Sequence, residues 1–206
     1  MSRYRVRRVF RPAVYWVASL CARIGLSPNQ VTLASLVAAI IASLFLALGF
    51  PTVYGLLVFL SGFLDGVDGA LARITGRATP QGGLLDSVSD RYSDVAVLVG
   101  FAFWREAENF NFLFPVRVWV AFAVAGFLMV SYIRARGEAA GVQLDVGFAA
   151  RSERLLMLSV SSLLYPFFRQ APLLGLVLSC AASHATAAYR FAAGSVRVKK
   201  HRLLQL

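Results

Sequence analysis

The 206-residue chain is 58% hydrophobic, only 15% charged and carries a formal net charge of +11, with a mean hydropathy of +0.67. Soluble domains carry about 25% charged residues, so this chain has too little polar surface to cover a body in water, and lipid is the solvent it fits. Its basic residues sit at the ends of apolar segments rather than along solvated faces, which argues against a nucleic-acid partner and for charge that orients membrane helices.

The predicted architecture is all-α and integral to the membrane. At the N-terminus, residues 3–24 alternate arginines with Val9, Phe10, Val14, Tyr15, Trp16 and Leu20. That pattern predicts an amphipathic helix lying in the interface, arginines toward headgroups and aromatics in the acyl boundary. The stretch lacks the short apolar core and cleavage site of a signal peptide. Spanning a bilayer takes about 20 mainly apolar residues, and six candidates follow at 29–48, 54–74, 83–104, 116–133, 154–168 and 172–192. They form one domain, a six-helix bundle over 28–195 with a basic tail at 196–206. Cys21 and Cys180 offer no disulfide framework and no short metal-binding spacing.

Six spans place four arginine-rich regions on one side: the N-terminal stretch, the connection with Arg73 and Arg77, the connection with Arg134, Arg136, Arg151 and Arg154, and the tail with Arg197, Lys199, Lys200 and Arg202. The opposite connections hold only Arg105, Arg117 and Arg169. The asymmetry predicts a cell-membrane protein with both termini cytoplasmic.

Five of the ten acidic residues lie at Asp65, Asp68, Asp86, Asp90 and Asp94, inside or at the end of apolar helices. Each charge near the middle of a membrane helix costs roughly 2.5–3.5 kcal/mol on insertion scales. Few cations are near in sequence: Arg73, Arg77 and Arg91. A hard divalent cation compensates carboxylates efficiently. Asp65 and Asp68 are three apart and Asp86 and Asp90 four apart, so each pair shares a helix face; Asp94 continues the second row. The short connection 75–82 makes the two helices antiparallel neighbours, and both pairs then converge on one or two metal ions. The site would open to the cytosol. Gly62, Gly66 and Gly69 surround the first pair, either to let helices approach or to give a ligand room, the second reading being favoured for Gly69.

The run Asp65-Gly-Val-Asp68-Gly69-Ala-Leu-Ala72-Arg73, then eight residues to Gly82, three to Asp86 and three to Asp90, resembles the signature of the CDP-alcohol phosphotransferases at all eight fixed positions. The resemblance implies attack of an alcohol on the phosphate of a CDP-linked donor with release of CMP. It implies metal binding by Asp65, Asp68, Asp86 and Asp90, with two Mg2+ or Mn2+ ions, and Asp90 as the general base. Asp68, Gly69 and Arg73 would contact the nucleotide. Thr79 either touches it or is a turn residue; Asn29 and Thr32 either help the donor site or simply start the first span after Pro28. A homodimer is also implied.

Arginines recur in Arg134-Ala-Arg136 and in Arg151-Ser-Glu153-Arg154, and Arg190 is unusual in the last apolar segment. They form either a pocket for the dianionic phosphate of an acceptor, which needs several donors, or orienting charge. The stretch resembles the branch that accepts inositol phosphate, the phosphatidylinositol-phosphate synthases and their archaeal-lipid (archaetidylinositol-phosphate) counterparts, although that branch often has lysine near Arg134. The donor is then CDP-diacylglycerol, CDP-archaeol or CDP-inositol. A glycerol-phosphate acceptor is the rival within the family, and an ion transporter the rival outside it.

Overall fold

A computed structural model describes residues 5–109 and 112–203. Residues 3–4 of the predicted interfacial helix and 204–206 of the predicted tail lie outside the described residues. Within the described residues seven α-helices run in order: α1 Arg5–Arg23, α2 Pro28–Ala47, α3 Pro51–Thr75, α4 Pro80–Phe103, α5 Val116–Ala139, α6 Arg151–Leu163 and α7 Ala171–Leu203, with a 3-10 turn Arg105–Asn109 after α4. Among the described residues there is no strand.

Local chemistry sets the starts. Pro28, Pro51 and Pro80 each occupy the first helical turn, where a missing N–H is no loss. Ser27 caps α2: its Oγ accepts from the Gln30 amide, and the Ser27 amide donates to Gln30 Oε1 at 2.8 Å. This reciprocal pairing satisfies two amides that a helix start leaves orphaned. Thr79 caps α4 by accepting from the Gly82 amide at 3.1 Å. Helix α3 stops at Gly76, whose φ of 64° is a left-handed conformation that glycine adopts without strain.

Among the described residues four helices, α2, α3, α5 and α7, are long and apolar enough to cross a membrane. Helix α4 has the length, but Asp86, Asp90, Arg91 and Asp94 interrupt its apolar run. Helix α6 has only 13 residues, short of the roughly 20 a straight span needs. Predicted and observed limits differ most at the C-termini. Helix α5 continues to Ala139 rather than 133, and α7 to Leu203 rather than 192, so most of the predicted tail is a continuation of the last helix. Apolarity ends at the headgroups, whereas backbone hydrogen bonding carries on through polar residues.

Helix α2 packs along α3 and α4, α3 against α1 and α6, and α5 against α7. Small residues permit the close crossings. A Cβ on Gly55 would lie 2.8 Å from the Ser159 carbonyl oxygen, and one on Gly100 2.8 Å from that of Ser43. One end of the bundle is filled by rings: Tyr54 on Phe101, Phe101 on Trp104 and Trp104 on Tyr165, edge to face at 5.5–6.3 Å between centroids. Tyr54 is fully buried and donates to the Val97 carbonyl at 3.0 Å. The acidic row lies toward the other end of α4.

Candidate active site

The turn after α3 brings the second half of that helix against the first half of α4. Asp65, Asp86 and Asp90 each offer an oxygen within 4.8 Å of the others. Three half-buried carboxylates this close repel one another unless cations intervene. Their hard oxygen donors fit a divalent cation. Asp68 stands outside this trio: it is buried, and its Oδ2 accepts from Thr32 Oγ1 at 2.6 Å.

A cation from α6 enters the cluster. Arg151 Nη1 lies 2.5 Å from Asp65 Oδ1 and 2.8 Å from Asp90 Oδ1, and its Nε lies 3.1 Å from Asp94 Oδ1. Asp90 also meets Arg91 at 3.3 Å. Arg151 was expected beside an acceptor phosphate; it lines the larger cavity, yet it pairs with the carboxylates as well. Among the described residues its buried Nη2 finds no hydrogen-bond partner, and neither does Oγ of the adjacent Ser152.

Two cavities meet at the carboxylates. The smaller, about 230 Å3, is lined by Asn29, Thr32, Asp68, Gly69, Arg73 and Thr79, together with Gly82 and Asp86. All six residues predicted to serve the nucleotide therefore line one space. The larger, about 460 Å3, has Asp65, Asp86, Asp90 and Arg151 in its polar wall and Phe10, Val14, Phe59, Phe63, Leu155 and Leu156 in its apolar wall. Asp68, Gly69, Arg73 and Asp86 line both. Gly69 lies at the junction, where a Cβ would only touch the Arg73 guanidinium at 3.5 Å, an ordinary contact distance.

The five predicted acceptor arginines have different surroundings. Of them, only Arg151 lines either of these two cavities. Arg154 is 1% exposed; it donates to the Phe127 carbonyl at 3.2 Å, sits over the Phe127 ring and meets Asp94 Oδ2 at 3.3 Å. Arg190 is buried against the Val130 and Val146 carbonyls. Arg134 is exposed and pairs with Glu138 and Asp145, and Arg136 is exposed.

Sequence reasoning missed Tyr15. Arg73 Nε donates to its hydroxyl at 3.3 Å, and the guanidiniums of Arg73 and Arg11 lie 5.9 and 5.4 Å from its ring centre. The bond to Arg73, then that cation's charge, lowers the Tyr15 phenol below its usual range, against a smaller opposing effect of burial. An aromatic among arginines on an amphipathic helix reads as a lipid anchor, so nothing in the pattern singles Tyr15 out.

Fold and site define a helical membrane protein with an acidic centre where two cavities meet, the larger of which also has an apolar wall. The chain belongs to the CDP-alcohol phosphatidyltransferase family, whose sequence profile matches residues 25–187, and it is a transferase. It is 35% identical over 161 residues to the archaetidylinositol phosphate synthase of Pyrococcus horikoshii, an alignment covering 77% of this chain and 81% of that one. The Mycobacterium tuberculosis phosphatidylinositol phosphate synthase with CDP-DAG bound superposes with a TM-score of 0.77 at 30% identity, over 88% of this chain and 92% of that one. The same synthase in complex with manganese and citrate gives a TM-score of 0.75 at 29% identity, over 88% of each chain.

Proposed function

We propose that this enzyme transfers the phosphoryl-linked lipid of a CDP-lipid to a hydroxyl of inositol phosphate, releasing CMP. The observation that carries the reading is the meeting of the two cavities at one acidic cluster. Cytidine and its phosphate suit the smaller cavity, which offers Asn29, Thr32, Arg73 and Thr79 as polar partners. The apolar wall formed by Phe10, Val14, Phe59 and Phe63 suits acyl or isoprenoid chains and favours CDP-diacylglycerol or CDP-archaeol over CDP-inositol. The relatives named as inositol-lipid phosphate synthases support the acceptor.

The roles follow from position. Asp65, Asp86 and Asp90, with Asp68 beside them, would hold magnesium or manganese, as two ions in the fullest reading. When bound, the metal neutralises the diphosphate and stabilises the departing phosphate of CMP. Arg73, held by Tyr15, gives planar recognition of phosphate oxygens. Asp90 takes the proton from the attacking hydroxyl. The hydroxyl oxygen forms a bond to the lipid-bearing phosphorus as the bond from that phosphorus to CMP breaks. Arg151 Nη2 and Ser152 Oγ, donors without partners, suit the acceptor's phosphate; Arg134, Arg136, Arg154 and Arg190 surround or brace that region in this proposal.

The proposal includes six crossings, α2 to α7, with α1 in the interface and both termini and the site cytoplasmic. Short α6 is supported by its contacts with α3 and α7. It also includes a homodimer, checked by mass measurement in detergent or nanodiscs.

The test is CMP release from purified protein with magnesium. Inositol phosphate, glycerol phosphate, serine and free inositol are each paired with CDP-diacylglycerol, CDP-archaeol and CDP-inositol. Metal-dependent release with inositol phosphate and a CDP-lipid is expected. Release with glycerol phosphate alone refutes the acceptor, and preference for CDP-inositol refutes the lipid donor.

A further inference from the structure

Asp94 continues the row of Asp86 and Asp90 one turn along α4, about 6 Å farther down the axis. It is fully buried, stands outside the carboxylate trio and lines neither cavity. Both of its oxygens are engaged by α6: Oδ1 by Arg151 Nε at 3.1 Å and Oδ2 by Arg154 Nη2 at 3.3 Å.

We propose that Asp94 is a positioning residue, whose carboxylate holds Arg151 and Arg154 so that Arg151 presents its Nη edge to the substrate cavity. This rests on the reading of Arg151 as an acceptor-phosphate ligand. Three observations support it. First, Asp94 grips Arg151 at Nε, which leaves Nη1 for Asp65 and Asp90 and Nη2 without a partner on a residue that lines the cavity. Second, Arg154 is held from the far side by the Phe127 carbonyl and ring, so Asp94 is tied through it to α5 as well as to Arg151. Third, a buried ion pair is a weak source of stability compared with apolar packing. Well-packed apolar residues in place of all three groups would serve stability as well, whereas only the charged set fixes the direction of a guanidinium.

Neutralising Asp94 changes that geometry. The amide of asparagine has one acceptor oxygen for two guanidiniums, and its NH2 would face the second one donor to donor. Arg151 would keep only Asp65 and Asp90 and be drawn onto them, away from the acceptor. Glutamate keeps the charge and both acceptor oxygens.

The experiment compares the parent, Asp94→Asn and Asp94→Glu in detergent by CMP release, titrating inositol phosphate and CDP-diacylglycerol separately. Asp94→Asn should raise the KM for inositol phosphate roughly tenfold or more and leave the donor KM within about threefold, and Asp94→Glu should recover most of the acceptor effect. An unchanged acceptor KM in Asp94→Asn, an equal rise for both substrates, or no recovery in Asp94→Glu overturns the proposal. If Asp94→Asn no longer binds donor, Asp94→Glu decides: near-parental acceptor KM supports positioning, and loss of folding there too makes Asp94 structural. If the parent uses glycerol phosphate and not inositol phosphate, the acceptor reading has failed, and Asp94 is judged by the same split on glycerol phosphate.

Discussion

Replacing Asp90 by asparagine should separate the chemical step from donor binding. Asp90 lines only the larger cavity, whereas Asp68, Gly69, Arg73 and Asp86 line both. The amide keeps the shape of the side chain and loses its charge and its ability to take a proton. A positioned general base contributes about 10²–10⁴ in rate, or roughly 2.7–5.4 kcal/mol of barrier at about 1.36 kcal/mol per decade. The loss to folding is small by comparison. Arg91 is 37% exposed, and its pair with Asp90 at 3.3 Å is of the kind worth about 0–1 kcal/mol. Arg151 keeps Asp65 and Asp94. The assay is single-turnover CMP release beside CDP-lipid binding, both at saturating magnesium because one of three clustered carboxylates has been removed. Turnover should fall about 100- to 10,000-fold while donor affinity stays within about threefold. Turnover within tenfold of the parent refutes Asp90 as the base; loss of donor binding at saturating metal refutes the assignment of cytidine to the smaller cavity.

Asp86→Asn contrasts with this, because Asp86 belongs to the trio and to both cavities: affinities for Mn2+ and for donor should both fall roughly tenfold or more, read by Mn2+ resonance titration and donor binding, and parental values for either oppose the assignment. Tyr15→Phe removes the hydroxyl that orients Arg73, so donor KM should rise roughly two- to fivefold with kcat retained, and a selective fall in kcat would contradict a positioning role. Gly100→Ala drives a Cβ to 2.8 Å from the Ser43 carbonyl oxygen, and overpacking of roughly 1–3 kcal/mol should outweigh a helix-propensity gain of about 1 kcal/mol. Gly83→Ala meets nothing within 4 Å and should keep that gain, so unfolding in detergent must move the two variants in opposite directions.

The helices and the acidic row were legible because local rules dominate both. Long apolar runs, the proline before the first span and spacings of three and four are properties of neighbouring residues in the chain. Ends were less legible, as α7 shows, because hydropathy follows the solvent and hydrogen bonding does not. The partners of the carboxylates were not legible at all. Thr32 reaches Asp68 across 36 positions and Arg151 reaches Asp65 across 86, contacts that depend on which helices neighbour one another. The arginines are the instructive case. An arginine kept on one side by membrane topology and one kept for a phosphate look alike in sequence. Burial and pairing separate Arg136, exposed, from Arg154, which is 1% exposed and spans Asp94 to Phe127.

The same packing argues against transport. An ion path needs polar groups across the whole depth of the bundle. Here the acidic row ends at Asp94, whose oxygens are both taken by arginines. Beyond it, Val97, Leu98, Phe101 and Trp104 of the α4 end are buried in the apolar core, and the Tyr54–Phe101–Trp104–Tyr165 rings close that end. The carboxylates therefore face a chamber closed on one side, with an apolar wall shared by α1, α3 and α6. Such a chamber can let a lipid-linked diphosphate bring its headgroup to the acids while its chains stay against apolar side chains. A conduit has no use for that wall, whereas a transferase whose donor is dissolved in the membrane needs it.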